Sequence, residues 1–138
     1  MHWMKYGAAA AVCVAVAGCS MTENVNGSEQ AVSDFRAFYD AGDYDAIYNA
    51  ASGEFRKSSD RAMFNKYLAG VQRQLGKFRS ARRTGFNSSM NGSGQYVTLG
   101  YESDYAKGKA TEQFVYRITA KGPELFAYTI NSDVFVMG

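Results

Sequence analysis

The sequence predicts an α+β domain, with its helices first and its strands after them. Two observations carry this. Up to Gly76 the apolar residues recur at helical spacing, and beyond it they alternate with a period of two. Turn signals then interrupt the second half after roughly every dozen residues, which implies an antiparallel meander. A sheet with one apolar face must bury it, and the helices are the only cover the chain provides.

The helical half reads as three segments. In "QAVSDFRAFYDAGD", Val32, Phe35, Phe38 and Tyr39 share a helical stripe that stops at Gly42. In "DYDAIYNAAS", Asp43 is an N-cap candidate and Tyr44, Ile47, Tyr48 and Ala51 form the stripe. In "SSDRAMFNKYLAGVQRQLG", Ser58, Ser59 or Asp60 can cap a helix whose apolar residues are Met63, Phe64, Tyr67, Leu68, Val71 and Leu75. Gly76 sits at the position that commonly ends a helix.

Four strands follow. "KFRSARRTGFNSSM" is the first, weak in its middle, and "NGSG" turns the chain. "QYVTLGYESDYA" places Val97, Leu99 and Tyr101 on one face and Thr98, Gly100 and Glu102 on the other. After "KGK", "ATEQFVYRIT" sets Glu112, Phe114, Tyr116 and Ile118 against Gln113, Val115 and Arg117. After "AKGPE", "LFAYTINSDVFV" closes the chain with Phe126, Tyr128 and Ile130 in register. Three helices on a strongly curved four-stranded sheet leave a cone with one open end.

Composition narrows the role. The 138 residues suffice for one domain. Net charge is +2 with both signs interspersed, so nucleic acid is not an expected partner. The basic cluster "RSARR", Arg79 to Arg83, supplies few phosphate contacts and reads as a solvated edge. The two cysteines, Cys13 and Cys19, and the one histidine, His2, all lie in the first 19 residues. The body of the chain therefore offers no Ser-His-Asp or Cys-His set and no usual zinc ligands, and neither a metal nor a cofactor is expected.

Residues 1–18 have the parts of a secretory leader. Lys5 gives a positive start and "GAAAAVCVAVA" an apolar core, shorter than the roughly 20 residues of a membrane span. The leader ends "Val16-Ala17-Gly18-Cys19", which resembles the lipobox of bacterial lipoproteins. The resemblance implies diacylglyceryl attachment at the Cys19 thiol and cleavage before it. Cys13 would leave with the leader. Ser20, in place of Asp, favours the outer membrane facing the periplasm if the source is Gram-negative. Residues 19–29, the lipidated cysteine and then "SMTENVNGSE", are expected as a polar tether, and the domain as residues 30–138.

The element order, with the segments "FYDAGDYDAIYNAAS", "FNKYLAGVQRQLGKFRSAR", "QYVTLGYESDYAKGKATEQFVYRI" and "LFAYTI", resembles small NTF2-like (cystatin-like) domains of secreted bacterial proteins. The nearest group is the uncharacterised DUF4019/DUF3887-like set. That group usually starts its last strand with Gly-Trp-Lys, the Trp packed on the helices. Here "GPELFAY" stands there, and Phe126 is expected in the tryptophan's place.

The NTF2-like fold hosts both enzymes and non-catalytic binders. The resemblance implies that an enzyme would use a carboxylate inside the cone, often paired with His or Tyr. The interior candidates are Asp45, Glu102, Asp104 and Glu112. Glu112 shares a face with Phe114 and Tyr116 and would suit a general base if buried. As a residue at a strand end just after a turn, it reads more readily as exposed and paired with Lys107 or Lys109. Tyr44, Tyr48, Phe64, Tyr67, Tyr101, Phe114, Tyr116 and Tyr128, with Glu112, are candidates to line a pocket, though tyrosines such as these are more often core with the hydroxyl reaching solvent or a backbone partner. No catalytic set emerges. The expectation is a lipid-anchored envelope protein whose domain binds a protein partner or a small apolar ligand. The alternative is a cone-pocket isomerase or hydrolase using Glu112. The resemblance also implies homodimers formed through the open sheet face, where Val115 and Arg117 would lie.

Overall fold

The computed structural model describes the backbone of residues 2–137 and the side chains of residues 21–135. The side chains of Cys13 and Cys19, and with them the lipobox, lie outside the described residues. The element order is α1 (His2–Ala41), α2 (Tyr44–Ala50), α3 (Gly53–Ser58), α4 (Arg61–Leu75), β1 (Phe78–Asn91), β2 (Gly94–Tyr105), β3 (Gly108–Thr119), β4 (Gly122–Asn131) and α5 (Asp133–Met137). The strands form one antiparallel sheet in the order β1-β2-β3-β4, the expected meander. Among the described residues no helix is long and apolar enough to cross a membrane.

The punctuation follows the local chemistry. Gly42 and Gly76 adopt φ of 71° and 77° and end α1 and α4 in a conformation that other residues rarely adopt. Asp43 caps α2 through the Ala46 amide, and Asp60 caps α4 through the Met63 amide. The helices pack on one sheet face around Leu68, Leu75, Val97, Leu99 and Phe114, all fully buried.

Several expectations need correction. Residues 21–29 are not a tether: α1 continues through them, and Val25 and Ser28 are buried. The physical reason is a stripe that begins earlier than Val32. Val25, Ser28, Val32, Phe35 and Tyr39 are spaced alternately by three and four residues, and the helix-weakening "NVNGS" is overridden by burial. Helix α3 has no counterpart among the three expected helices. Its six residues are capped by Ser52, whose hydroxyl accepts from the Phe55 amide, and whose own amide donates to the Leu125 carbonyl of β4. Helix α5 replaces the expected end of the last strand, which stops at Asn131.

The last strand is also rephased. Val115 pairs with Ala127 but Tyr116 pairs with Leu125, so Phe126 drops out of the ladder. Leu125 takes the buried place expected of Phe126. The Phe126 ring packs on Tyr96 instead, with ring centres 5.0 Å apart.

Helix α5 closes over the β2–β3 turn at Gly108. A Cβ on Gly108 would lie 2.6 Å from Val134 Cγ2 and 3.5 Å from Leu75 Cδ2. Gly108→Ala is therefore expected to displace α5 and cost about 1–3 kcal/mol in urea unfolding. Adding Val134→Ala should recover most of that loss, and no recovery would show that the contact is not the cause.

Candidate functional site

The centre of the cone is polar. Arg36 projects from α1 and Glu112 from β3, and their side chains meet at 3.0 Å with the carboxylate fully buried. Ser103 of β2 donates to Glu112 Oε1 at 2.5 Å. Tyr105 of β2 and Tyr128 of β4 donate to Oε2 at 2.8 and 2.5 Å. Arg36 also reaches the Tyr105 hydroxyl and Ser103 Oγ, each at 3.4 Å. Its guanidinium lies 3.9 Å from the centre of the Phe78 ring, with the Tyr101 and Phe114 rings at 5.3 and 5.4 Å. One carboxylate thus ties α1 to three of the four strands.

Strand alternation explains the convergence. Ser103 and Tyr105 sit two apart on β2 and face inward with Tyr101. Glu112 lies directly across from Tyr101 and beside Ile130 of β4. Arg36 is four residues after Val32 and three before Tyr39, so it lies on the buried stripe of α1.

Electrostatics follow from burial. The Tyr105 and Tyr128 phenols are pushed well above their ordinary value, first by desolvation and then by the neighbouring Glu112 charge. Tyr39 and Tyr116 are raised in the same way, again chiefly by desolvation.

The other interior candidates are outside the cone. Asp45 is exposed and pairs with Arg61 at 3.1 Å. Glu102 faces outward and pairs with Arg82 at 2.5 Å, and Asp104 is exposed. Glu112 does not pair with Lys107, whose amine instead donates to the Arg73 carbonyl at 3.0 Å. Among the described residues no three His, Cys, Asp or Glu side chains gather as metal ligands.

The pocket candidates divide. Phe64, Tyr67 and Tyr128 line a cavity of about 410 Å³ at the cone's mouth, with Phe55 and Met63. Tyr67 is 45% exposed there. Tyr48, Phe55 and Phe64 pack as a ring cluster behind it, and the Tyr48 hydroxyl bonds the Ser59 and Arg56 carbonyls. Tyr44 donates to Gln72. Tyr101, Phe114 and Tyr116 are core, and Tyr116 also borders a hollow of about 130 Å³ beside α2.

The helix-free face of the sheet is hollowed too. A groove of about 810 Å³ runs past Arg82, Glu102, Asp104, Lys109 and Thr111 to α5. A second hollow of about 370 Å³ adjoins it at Thr98, Gln113 and Thr129. Arg117, expected on this open face, is held by Glu54 of α3 and by the Ser93 carbonyl.

Residues 31–123 match the model of a family described as "Protein of unknown function (DUF4019)". The chain belongs to the DUF4019 family. No curated protein matches it in sequence. A solved structure from Streptomyces avermitilis, named as a candidate dehydratase of the NTF2-like family, is similar at a TM-score of 0.54 and 12% identity. The match covers 80% of this chain and 97% of that one. At that identity the likeness shows the fold, and the DUF4019 domain is NTF2-like.

From sequence, Glu112 is one of four candidates for the interior of the DUF4019 cone and reads more readily as exposed, and Tyr128 is a pocket candidate; Arg36, Ser103 and the role of Tyr105 are missed. The signal for Arg36 was present: a charged residue at a stripe position flanked by Val32 and Tyr39. Removing either member of the pair strands a buried charge. Arg36→Ala and Glu112→Ala should each cost about 3–5 kcal/mol. The double variant Arg36→Met/Glu112→Leu should cost far less than their sum, measured as a double-mutant cycle in urea.

A pH consequence follows from the phenols. Below pH 10.0, the ordinary tyrosine value, folded and unfolded chains both keep these protons. Above it the unfolded chain releases them and the fold does not, so stability falls by up to about 1.4 kcal/mol per pH unit per buried tyrosine. Phenolate absorbance from Tyr39, Tyr105, Tyr116 and Tyr128 should therefore appear only together with unfolding. Free titration of these residues in the folded state would contradict their burial.

Proposed function

We propose that this chain is a lipid-anchored envelope protein whose NTF2-like domain is a non-catalytic binding module. One observation carries the non-catalytic reading. Glu112 is the only buried carboxylate among the described residues, and both of its oxygens are engaged by Arg36, Ser103, Tyr105 and Tyr128. A general base needs a lone pair facing substrate. This carboxylate presents its oxygens to the protein's own donors.

The binding surface in this reading is the grooved outer face of the sheet. Its floor alternates hydroxyl and amide side chains, Thr98, Thr111, Gln113 and Thr129, with Arg82, Glu102, Asp104 and Lys109 along one side. An open surface rich in polar side chains suits an apolar small molecule poorly, since such ligands take concave and mostly apolar sites, and leaves a protein as the fitting partner. The "VAGC" motif supports an anchor on Cys19, and Ser20 supports the outer membrane if the source is Gram-negative. Two or more acyl chains would hold the domain at that surface.

The cone-mouth cavity favours a second reading. Tyr128 contributes to its wall and donates to Glu112, so a small apolar molecule against Phe55, Phe64 and Tyr67 would meet a phenol backed by a carboxylate. That is the setting in which isomerase or hydrolase chemistry, or the dehydration for which the Streptomyces relative is named, would take place.

Two experiments test the proposal. Cys19→Ser should abolish metabolic labelling with palmitate and release the protein from membranes, and continued labelling would remove the anchor. Photo-crosslinking side chains at Thr111 and Gln113 should yield protein adducts in cells, while the same group at Tyr67 should not. Adducts confined to Tyr67, with a co-purified small molecule lost in Tyr128→Phe by native mass spectrometry, would favour the pocket reading instead.

A further inference from the structure

Strand β1 is the first edge of the sheet and, at 14 residues, its longest strand. Natural edges are blunted by charge, proline or bulges. Here those devices are confined to one half. Arg79, Arg82 and Arg83 lie before the irregularity at Arg83/Gly85, with Arg82 tied to Glu102 and Arg83 to Glu29. The half from Gly85 to Asn91 has no charge and no proline. It carries two large exposed apolar side chains, Phe86 at 54% and Met90 at 75% exposure. Among the described residues no hydrogen bond reaches its free edge.

The phase of that edge can be read from the hairpin. Asn91 and Gly94 are partners across the two-residue Gly92–Ser93 turn, so they form the hydrogen-bonded closing pair. Opposed residues in an antiparallel ladder alternate between bonded and non-bonded pairs. Ser89 and Asn87 therefore bond inward to β2, while Phe86, Ser88 and Met90 point their N–H and C=O groups outward.

We infer that this segment pairs with the same segment of a second copy, antiparallel and centred on Ser88, to join two sheets into one. The spacing is self-complementary. With Ser88 opposite Ser88, Phe86 of one copy lies opposite Met90 of the other, and all of these residues are in outward-bonding phase. Each Phe–Met pair covers the two exposed apolar side chains that the helix layer leaves open. The antiparallel direction carries the two Arg79–Arg83 halves to opposite ends, so no arginine faces another. The contact is isologous and closes at two copies. It uses the Gly85–Asn91 half of the β1 edge; the larger outer-face groove meets β1 only at Ser80, Ala81 and Arg82, while the smaller hollow borders the paired half at Gly85, Phe86 and Asn87.

The phase supplies the test. Proline at Ser88 removes only an outward N–H, whereas proline at Asn87 removes one that bonds β2. Sedimentation of the full chain in detergent should show a reversible dimer. Ser88→Pro should weaken it at least about tenfold while leaving the thermal midpoint within a few degrees, and Asn87→Pro should lower that midpoint sharply. Met90→Lys, a surface change, should weaken the dimer similarly. Ser88→Cys should give a reducible dimer that neither the unsubstituted chain nor Ser80→Cys gives, because bonded cross-strand pairs lie about 5.5 Å apart in Cα. A monomer at every concentration overturns the inference. So does a dimer that survives Ser88→Pro and Met90→Lys while Ser88→Cys gives no cross-link, the pattern expected of pairing through the sheet face.

Discussion

The ion pair between Arg36 and Glu112 is the constraint around which the domain is arranged. Burying two opposite charges gains little by itself, because desolvation offsets most of their attraction. What makes this pair tolerable is that its neighbours complete it. Both carboxylate oxygens accept from hydroxyl or guanidinium donors, and the guanidinium rests on Phe78 between aromatic walls. A half-satisfied version would be worse than an apolar core. The network therefore acts on specificity: α1 can dock on the sheet in one position along its axis, the one that places Arg36 over Glu112. The ion pair from Glu29 to Arg83 and the approach of Gly27 to the Pro123 ring lie in the same register.

That arrangement has a consequence for the cone. Around the buried carboxylate stand the chain's own phenols, Tyr105 and Tyr128, each donating to Glu112. Space is found at the rim instead, between α3, α4 and β4, and on the far side of the sheet. Among the described residues, both oxygens of the one buried carboxylate are engaged by the protein's own donors, and these hollows lie around rather than at it. The larger outer-face groove lies away from the Gly85–Asn91 edge, and the smaller hollow adjoins that edge at Gly85, Phe86 and Asn87.

Much of the fold was legible because period and punctuation agreed. Alternation in β2 and β3 assigned their inner faces residue by residue, and Asp43, Gly42 and Gly76 marked ends that backbone chemistry requires. The failures share one cause. Residues 21–29 look like a linker by composition and became helix because Val25 and Ser28 found a core to enter. Phe126 followed the expected alternation, and a bulge moved Leu125 into its place. Helix α3 is too short to show a period and exists through Ser52, which bonds both its own helix and β4.

The sequence by itself determined that helices precede a four-strand meander, the inner faces of the central strands and the lack of histidine and cysteine in the body of the chain, because local spacing and residue identity need no partner. The tertiary structure decided which carboxylate is interior, what occupies it and which surfaces remain open. Those depend on side chains brought together from α1, β2, β3 and β4, separated by up to 76 positions for Arg36 and Glu112. No local pattern encodes such a meeting, since each of these residues alone reads equally well as a solvated charge or an ordinary aromatic.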